Sequence, residues 1–583
     1  MKKLFALLLA VIMVISMAAC APAEPAGTTE GKADNTTAAT TTVAATTTEP
    51  KMDLSAMPFC EPGSEKITIG IMTNATVLDY NDNVYTKHIE ENTGIDIEFV
   101  SFSSDSTEAK TQLNLMMANK ETLPDIILGN LLSTTTVSEM AQNGYLVDMT
   151  DYFEEYSYWF KWWESSMTEW ERDYMWARVV DPNDGGLYYF PAPGVSDGVD
   201  SCGWQGGINK VFAKNLGMNA DDIDTVAEVY EFLTKAVKED GNGNGQNDEL
   251  GMVYYDKGYA YLEEWIINAY IPVTDAYVFN VTDGKVWVPY ATDEYRQAVI
   301  ELNKWYQEGL IYPGSFSGMG HPEVKALVDT PDNYKVAIYG GHATLMTDAD
   351  NNIGLQYQYL NVLEDETGKG GYGFLRERNT CAIAGVLTTD CENPVLAFRL
   401  MDWLTNPITQ KIARYGEEGV NWEWIDGEAE GLKDRRGNWA SYRILNDEWS
   451  KETKATWHYN PFNASTTNQY TEGPAAGIGL TAFSIVEGSR NEVLYGALYE
   501  MQSSKLPEES VYKQVYNADE QAVISEYKSL YTSYVKEARR QFMAGVMDPN
   551  NDADWEKYLK ELELNGQTAL VEASQSAYDR MFG

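Results

Sequence analysis

The stretch DGNGNGQNDELG, residues 240–251, places oxygen-bearing side chains at nearly alternate positions and separates them with glycines. Asp240, Asn242 and Asn244 hold the first, third and fifth positions of this frame, and Gly245 follows where the chain has to turn sharply. Because oxygens at alternate positions of a tightly turned chain converge on one point, the frame suits a hard cation with many oxygen ligands, which is Ca²⁺ rather than Mg²⁺. The sequence therefore predicts a calcium site, and the alternative is a solvated turn.

The loop closes differently from an EF-hand, which has Glu at its twelfth position. Here the twelfth residue is Gly251, whereas Asp248 and Glu249 come earlier and can complete a shorter loop with the backbone carbonyl of Gln246. The stretch joins a predicted helix to a predicted strand and holds no aromatic or arginine side chain for an organic ligand. We therefore expect a structural rather than a catalytic Ca²⁺.

Motifs for catalysis are weak throughout the chain. The histidines His88, His321, His342 and His458 are scattered, and no HExxH zinc frame occurs. GVSDG (194–198) matches the nucleophile-elbow pattern, but PAP precedes it where a strand is needed. Acidic side chains are numerous, yet none stands in a distinctive frame for glycoside hydrolysis. The sequence thus gives no positive evidence for an enzyme.

Aromatic residues are abundant, with 16 Trp and 38 Tyr in the chain. Flat rings beside polar groups bind the apolar faces of sugars, so aromatic residues in loop-like segments are candidates for carbohydrate contact. Trp204, in GWQGG, is the strongest candidate because its flanking glycines would leave it exposed. The alternative for each ring is core packing, which we prefer for the dense aromatic cluster at 156–176. The candidate ligand-binding residues are Tyr85, Asn130, Tyr189, Trp204, Trp265, Tyr339, Arg376, Trp422 and Trp457.

From residue 66 the chain alternates between strand and helix patterns. KITIGIM and IDIEFVSF alternate apolar and polar residues, and LPDIILGN contains a short apolar run typical of a strand covered on both faces. Amphipathic helices separate these strands, and Gly94 should end the first helix. This order predicts a parallel α/β layer with candidate ligand loops at 73–81 and 129–134, at the carboxyl ends of strands.

A second α/β region begins near Trp204. Its first long helix opens with a capping box formed by Thr225 and Glu228. Asn393 and Pro394 begin a later helix that is apolar nearly all round and should be buried. The tail of the chain from residue 518 is predicted to be helical.

The N-terminus has the features of an export signal. A basic start is followed by an apolar run at 4–15, which is too short to cross a bilayer unaided. Small residues precede Cys20 as in a bacterial lipobox, which predicts cleavage of residues 1–19 and lipidation of Cys20; the alternative is an ordinary signal peptide. Residues 20–64 are rich in Thr, Ala and Pro, and we expect a disordered tether there.

Net charge restricts the binding partners to be expected, and the cysteine content restricts the disulfides. The formal net charge of −45 argues against a nucleic-acid partner and against a polybasic grip on lipid. Cys60, Cys202, Cys381 and Cys391 allow three disulfide pairings or free thiols, and the sequence does not choose among them.

Several segments together resemble a known family. NVYTKHIEENTGIDIEF, LNLMMANKETLPDIILGN, DPNNDADWEKYLKELELNG and the calcium loop are similar to segments of the extracellular solute-binding lipoproteins of bacterial carbohydrate ABC importers. The resemblance implies a periplasmic-binding-protein-like type II α/β fold, with two lobes joined by a multi-segment hinge. It places 65–185 and 372–445 in lobe 1, and 186–371 and 446–583 in lobe 2. It also implies calcium ligation by Asp240, Asn242, Asn244, Gln246, Asp248 and Glu249.

The function implied by this resemblance is transport. We expect a lipid-anchored monomer on the outer face of the cell membrane that captures an oligosaccharide between its lobes and delivers it to an ABC permease. GWQGGINK and Tyr85 depart from the usual family pattern, so the identity of the ligand stays open. A peptide and a polyanion are the alternatives to a sugar, and the net charge of −45 disfavours the polyanion. Two other hypotheses remain, a secreted calcium-containing polysaccharide-degrading enzyme and a surface adhesin or scaffold, the latter disfavoured by the lack of repeats.

Overall fold

The computed structural model describes residues 52–167, 169–192, 206–255, 261–273, 278–330, 335–341, 346, 356–368, 370–373, 382–432, 439–446, 448, 451–457, 462, 478–480 and 514–582. Leu54–Gly583 forms one compact unit. The predicted signal peptide, most of the tether, and Cys20, Cys202, Trp204, Arg376 and Cys381 lie outside the described residues. Within the described ranges, no helix combines the length and apolar character needed to cross a membrane.

The strands are short except for the first two. In chain order they are β1 (Glu65–Met72), β2 (Ile95–Phe102), β3 (Ile126–Leu128), β4 (Phe190–Pro191), β5 (Gly206–Asn209), β6 (Leu250–Val253), β7 (Asn280–Thr282), β8 (Lys285–Trp287), β9 (Val336–Gly340), β10 (Tyr357–Tyr359), β11 (Ile383–Leu387), β12 (Trp422–Trp424), β13 (Ala440–Ile444) and β14 (Ile478–Leu480).

The α-helices range from one turn to the long helix near the C-terminus. In chain order they are α1 (Val84–Thr93), α2 (Ser106–Asn119), α3 (Thr134–Gln142), α4 (Thr150–Tyr156), α5 (Trp159–Ser166), α6 (Glu169–Val179), α7 (Lys210–Asn215), α8 (Val226–Lys238), α9 (Leu262–Ile267), α10 (Asp293–Gln307), α11 (His321–Val328), α12 (Pro394–Trp403), α13 (Pro407–Tyr415), α14 (Gly427–Glu430), α15 (Ala518–Met543), α16 (Asp552–Leu564) and α17 (Gln567–Phe582).

The first sheet has the strand order β2-β1-β3-β11-β4. Strand β1 pairs in parallel with both β2 and β3, which confirms the predicted strand–helix–strand–helix–strand unit. Strand β11 pairs antiparallel with β3, and β4 pairs antiparallel with β11. Helix α1 ends as predicted at Gly94, which takes the left-handed conformation with φ 78° that glycine adopts without strain.

The second sheet has the order β10-β5-β9-β6, with β6 and β9 parallel and β5 antiparallel to β9. Helix α8 begins at the predicted capping box, in which the backbone N–H of Thr225 donates to the carboxylate of Glu228 over 3.0 Å. Helix α12 begins after Asn393, whose side chain accepts a hydrogen bond from the backbone N–H of Leu396. Residues Leu396–Trp403 of this helix are all buried, as its apolar sequence predicts.

Two large hydrophobic clusters surround these sheets. The first cluster includes Ile69, Phe190, Trp457 and Phe462, and the second includes residues of β9, α10 and α15. Strand β4 and residues 453–457 pack with the first cluster because they pair with β11 and with the loop after β1. The two-lobe division, with 65–185 and 372–445 in lobe 1 and 186–371 and 446–583 in lobe 2, stays a prediction.

Candidate functional site

The carboxyl ends of β1 and β3 lie side by side. We call this end of the first sheet, where its parallel strands finish, the edge of the first sheet. The loop after β1 turns at Asn74, whose Oδ1 accepts hydrogen bonds from the N–H and the hydroxyl of Thr76, over 2.9 Å and 2.8 Å. Strand β3 runs directly into a 3₁₀ turn, Gly129–Leu131. A Cβ on Gly129 would lie 1.7 Å from the carbonyl oxygen of Ile383, so only glycine lets β11 begin so close to this turn.

Asn130 presents an unused acceptor at this edge. The side chain is half-buried, and its Oδ1 is buried and accepts no hydrogen bond from any residue that the structure describes. A buried polar atom without a partner costs about 1–3 kcal/mol, so a ligand that donates to it would recover that free energy. Ser133 fixes the following helix, because its Oγ accepts a hydrogen bond from the backbone N–H of Thr136 over 3.1 Å.

The carboxyl ends of the parallel strands of the second sheet form a comparable edge. Strands β6 and β9 are parallel, and β5 begins at Gly206, which pairs with Gly340 at the carboxyl end of β9. Trp204 stands two positions before β5 in the sequence, and Arg376 stands seven positions before β11; both residues are outside the described part of the chain.

A cavity of about 310 Å³ lies beside Glu264 and Arg539, and side-chain contacts through Glu263 link Arg539 to Tyr254, the residue after β6. Tyr254 follows β6 and donates from its hydroxyl to Oε1 of Glu263 over 2.8 Å. Oε2 of Glu263 lies 3.0 Å from Nε of Arg539, which forms part of the cavity wall. The cavity is lined by Glu264, Val278, Tyr290, Lys528, Thr532, Ser533, Val535, Lys536 and Arg539.

Arg539 is the most deeply buried charge in the cavity wall. It is 1% exposed, and its Nη2 lies 3.5 Å from Oε1 of Glu264. The guanidinium lies 4.9 Å from the centre of the Tyr261 ring, which adds a cation–π contact. Nη1 is buried and donates no hydrogen bond to a described residue. Lys528 and Lys536, on the same helix, are half-buried.

Six of the predicted aromatic ligand contacts lie in the hydrophobic clusters. Tyr85, Trp265, Tyr339, Trp422 and Trp457 are at most 2% exposed, and Tyr189 is 4% exposed. The indole N–H of Trp265 donates to the carbonyl of Asn361, and that of Trp422 to the carbonyl of Gly416. Ligand contact by these six rings stays a prediction, and in this conformation protein atoms cover the rings.

The packing explains why glycine neighbours do not identify exposed rings. A Cβ on Gly207 would lie 2.7 Å from the ring of Tyr339, so this glycine makes room for a packed ring. Likewise Tyr85 packs edge-on against Trp457, with ring centres 4.7 Å apart, and the indole N–H of Trp457 donates to the hydroxyl of Thr86. Local sequence therefore does not separate a ring that stacks on a ligand from a ring that fills a core.

The predicted calcium loop joins α8 to β6. Oδ1 of Asp240 accepts a hydrogen bond from the N–H of Asn244 over 2.9 Å, and its Oδ2 accepts from the N–H of Gly245 over 2.7 Å. Oδ1 of Asn244 accepts from the N–H of Gln246 over 2.7 Å. Gly243 and Gly245 both take positive φ, 74° and 80°. Backbone N–H groups of the loop thus donate hydrogen bonds to the side-chain oxygens of the same loop.

Glu249 and Asp248 complete this loop. Glu249 is 7% exposed and accepts hydrogen bonds from the N–H of Asn242 over 3.0 Å and of Asp248 over 3.1 Å. Oδ2 of Asp248 lies 2.5 Å from Nζ of Lys335. In the described ranges, no group of three or more His, Cys, Asp or Glu side chains is arranged to hold a metal ion. The fit of the loop to a hard cation therefore depends on asparagine and backbone oxygens together with the carboxylates.

Polar pairs and one ring contact join the two hydrophobic clusters, the ring contact being between Tyr174 and Phe582, whose centres are 6.2 Å apart. Oγ1 of Thr135 lies 3.4 Å from Oε1 of Gln521, and the N–H of Ala518 donates to Oδ1 of Asn183 over 3.2 Å. A second cavity of about 350 Å³ lies beside this contact, between α3, the end of α6 and residues 515–525, and Tyr189 is among its lining residues.

The sequence reasoning missed the residues of the 310 Å³ cavity. Lys528, Thr532, Lys536 and Arg539 recur at helical spacing in the predicted C-terminal helix, and this periodicity was the available signal. A charged stripe on a helix is more often a solvated face, and the partners Glu263 and Glu264 are far away in the sequence. The cavity is thus a product of tertiary structure.

Comparisons with known proteins add independent evidence. Residues 80–411 match the family model described as "Bacterial extracellular solute-binding protein". The chain is similar to the fructooligosaccharide ABC transporter substrate-binding protein FusA of Streptococcus pneumoniae serotype 4, with 22% identity over 566 residues, 91% of this chain and 94% of FusA. It is also similar to lipoprotein LipO of Bacillus subtilis, with 27% identity over 239 residues, 38% of this chain and 44% of LipO.

Solved structures show the same fold. An HMO-binding, ABC-transporter-associated solute-binding protein of Bifidobacterium longum infantis superposes with a TM-score of 0.67 at 17% identity, over 89% of this chain and 99% of that one. An EF-hand mutant of S. pneumoniae FusA in complex with fructo-nystose superposes with a TM-score of 0.61 at 18% identity, over 88% and 99% of the two chains. These likenesses confirm the predicted periplasmic-binding-protein-like type II α/β fold.

Proposed function

Because the chain belongs to the family of bacterial extracellular solute-binding proteins, we propose that it captures an oligosaccharide and delivers it to the permease of an ABC transporter. The names of its relatives support this proposal, since FusA is a fructooligosaccharide ABC transporter substrate-binding protein. The proposal requires binding and release and no chemical change in the sugar.

The observation that carries the proposal is the pair of polar sheet edges. At the first edge, Asn130 offers a buried carbonyl oxygen without a partner among the described residues. At the second edge, the 310 Å³ cavity offers ammonium, guanidinium and hydroxyl groups. A sugar presents many hydroxyl groups, each of which both donates and accepts, so it can satisfy acceptors at one edge and donors at the other. Ligand contact by Trp204 and Arg376 would supplement these groups.

The contact between the two hydrophobic clusters suits a hinge motion. It includes the Thr135–Gln521 and Asn183–Ala518 pairs, which water can replace when the clusters separate. A ligand that contacts both sheet edges would favour the closed arrangement by the difference between its affinities for the closed and open states. The ligand site in this proposal is the cleft between the two lobes.

We also propose that the loop at 240–249 holds a structural Ca²⁺. Asp240, Asn242, Asn244, Asp248 and Glu249 would hold it through their side chains and Gln246 through its backbone carbonyl. The ion would supply positive charge to a loop whose oxygens otherwise repel one another. We expect EDTA to lower the melting temperature of the wild type and to have no effect on Asp240→Ala, because the variant lacks the first ligand. An unchanged wild-type melting curve would reject the calcium site.

The proposed location is the outer face of the cell membrane. Cys20 would carry the lipid anchor and residues 20–64 would act as the tether of a monomeric protein. The similarity to lipoprotein LipO supports this assignment. Mass spectrometry of the mature protein should find an acylated N-terminal Cys20, and an unmodified residue there would contradict it.

The test of the proposed function is calorimetric titration of the purified protein with a panel of oligosaccharides, followed by analysis of the sugar after incubation. Saturable binding with an intact sugar is the expected result. Release of new reducing ends would instead support the alternative, a polysaccharide-degrading enzyme. Absence of binding across the panel would reject an oligosaccharide ligand.

A further inference from the structure

One face of α15 carries the cationic side chains of the 310 Å³ cavity. Lys528, Lys536 and Arg539 follow one another at intervals of eight and three residues, which keeps them within one stripe of a helix with about 3.6 residues per turn. Thr532 and Ser533 stand between the lysines and line the same cavity. The hydroxyl of Thr532 donates to the carbonyl of Lys528 over 2.9 Å, and its oxygen keeps the capacity to accept hydrogen bonds.

The cavity is locally positive although the chain is acidic. Its described lining contains three cations and one carboxylate, Glu264, and Glu263 lies behind the wall against Arg539. These three cations stand together in a chain whose formal net charge is −45. Charges on exposed surfaces are largely screened beyond about 8 Å at physiological salt, so the nearby cations dominate what a bound group experiences.

Arg539 adds directional donors to this positive charge. Its Nε and Nη2 face Glu263 and Glu264, whereas the buried Nη1 donates no hydrogen bond to a described residue. An anionic oxygen is the strongest acceptor for such a donor, because a hydrogen bond between two charged groups is about twice as strong as a neutral one. A neutral hydroxyl would satisfy the same donor less well.

We infer that the bound oligosaccharide contains a negatively charged sugar whose anionic group is held in this cavity by Lys528, Lys536 and Arg539. The inference rests on the proposed function and narrows its substrate class. The volume of about 310 Å³ suits one charged sugar ring, with the rest of the oligosaccharide extending toward the neutral edge at Asn130. The carboxylate of a uronic acid and a sulfate ester share the required chemistry.

The test compares neutral, uronate-containing and sulfated oligosaccharides of matched length by calorimetric titration. The variants are Lys528→Gln and Lys536→Gln, and the matched control is Lys557→Gln, an exposed lysine of α16 outside the cavity. The acidic sugars should bind the wild type at least about tenfold more tightly than neutral ones. Each cavity variant should lose about tenfold in affinity for the acidic sugar, with the control unchanged. A preference for uronate or for sulfate then identifies the anionic group.

Two results would overturn the inference, and they are distinguishable. If neutral oligosaccharides bind as tightly as acidic ones and Lys528→Gln and Lys536→Gln leave all affinities unchanged, the proposed function stands and the charged-sugar inference fails. If neither neutral nor acidic oligosaccharides bind, the proposed function fails with it. Unchanged melting temperatures of the variants would establish that altered affinities are not due to unfolding.

Discussion

The two main sheets end in edges of opposite character. The edge of the first sheet presents the amide side chains of Asn74 and Asn130, and the start of β11 lies close to the turn that holds Asn130. On the side of the second sheet, contacts from Tyr254 through Glu263 lead to Arg539, which lines a charged cavity together with two lysines. Neutral amides recognise hydroxyl groups that every sugar carries, whereas cations distinguish acidic from neutral sugars. Under the proposed function, the amides of the first sheet would supply general sugar affinity and the cations of the cavity would supply charge selectivity.

The two hydrophobic clusters also differ in how each one stabilises a buried charged side chain. In the second cluster, Arg539 is balanced by Glu263 and Glu264. In the first cluster, Asp402 is 3% exposed and accepts hydrogen bonds from the backbone N–H groups of Tyr158, Trp159 and Phe160, over 3.0, 2.9 and 2.8 Å. Arg539 is thus stabilised by opposite charges, whereas Asp402 is stabilised by backbone N–H groups at the start of α5.

The largest effect is expected from removing the cation of the second cluster. Arg539→Met leaves Glu263 and Glu264 buried without their partner, and breaking a buried ion pair costs about 3–5 kcal/mol of unfolding free energy. Urea unfolding at neutral pH measures this loss. The triple variant Arg539→Met, Glu263→Gln, Glu264→Gln should recover much of the stability, because it leaves no unpaired charge. A single variant as stable as the wild type would show that the cluster is not an ion pair in solution.

A smaller effect is expected from the acid of the first cluster. Asp402→Ala removes three hydrogen bonds from the start of α5, and bonds to a charged group contribute about 1.5–3 kcal/mol each before relaxation and solvent replace them. We expect a net loss of about 2–3 kcal/mol in the same unfolding experiment. Asp151→Ala, which changes an exposed residue of α4, is the matched control. Equal stability of the two variants would contradict the role assigned to Asp402.

A third effect concerns Lys411, a buried cation of the first cluster that lies 4.9 Å from the ring centre of Tyr442. Burial lowers the pKa of this lysine to about 7. Because the folded pKa lies below the unfolded pKa of about 10.5, the stability cost is fully present below about pH 7 and disappears as pH rises toward 10.5. Lys411→Met should therefore be more stable than the wild type at about pH 6, and the difference should vanish near pH 10. A pH-independent difference would reject this assignment.

The smallest effect is expected at the neutral edge. Asn130→Ala removes a buried acceptor that has no described partner, so the free energy of unfolding should not fall and should rise by up to about 1–3 kcal/mol. Oligosaccharide affinity should fall by about fivefold to tenfold, equally for neutral and acidic sugars, since a single hydrogen bond contributes about 1 kcal/mol. Titration calorimetry measures both affinities. A loss of affinity confined to acidic sugars would contradict the different roles proposed for the two edges.

The sequence predicted the secondary-structure elements better than the tertiary contacts between them. The apolar alternation of β1 and β2, the glycine that ends α1, and the capping box of α8 are local signals, and the structure has each of them. The glycine turns of the 240–251 loop were equally local. Burial of Trp265 or Trp457 depends on residues about a hundred or more positions away, such as Asn361 and Thr86, and no local pattern encodes it. The cavity wall formed by α15 was missed for the same reason.

Native mass spectrometry of the protein with an oligosaccharide tests the central claim most directly, because it records binding and chemical change together. We expect a mass increase equal to one intact oligosaccharide, stable through prolonged incubation. A complex that carries shorter fragments, or no mass increase with either neutral or acidic sugars, would contradict it.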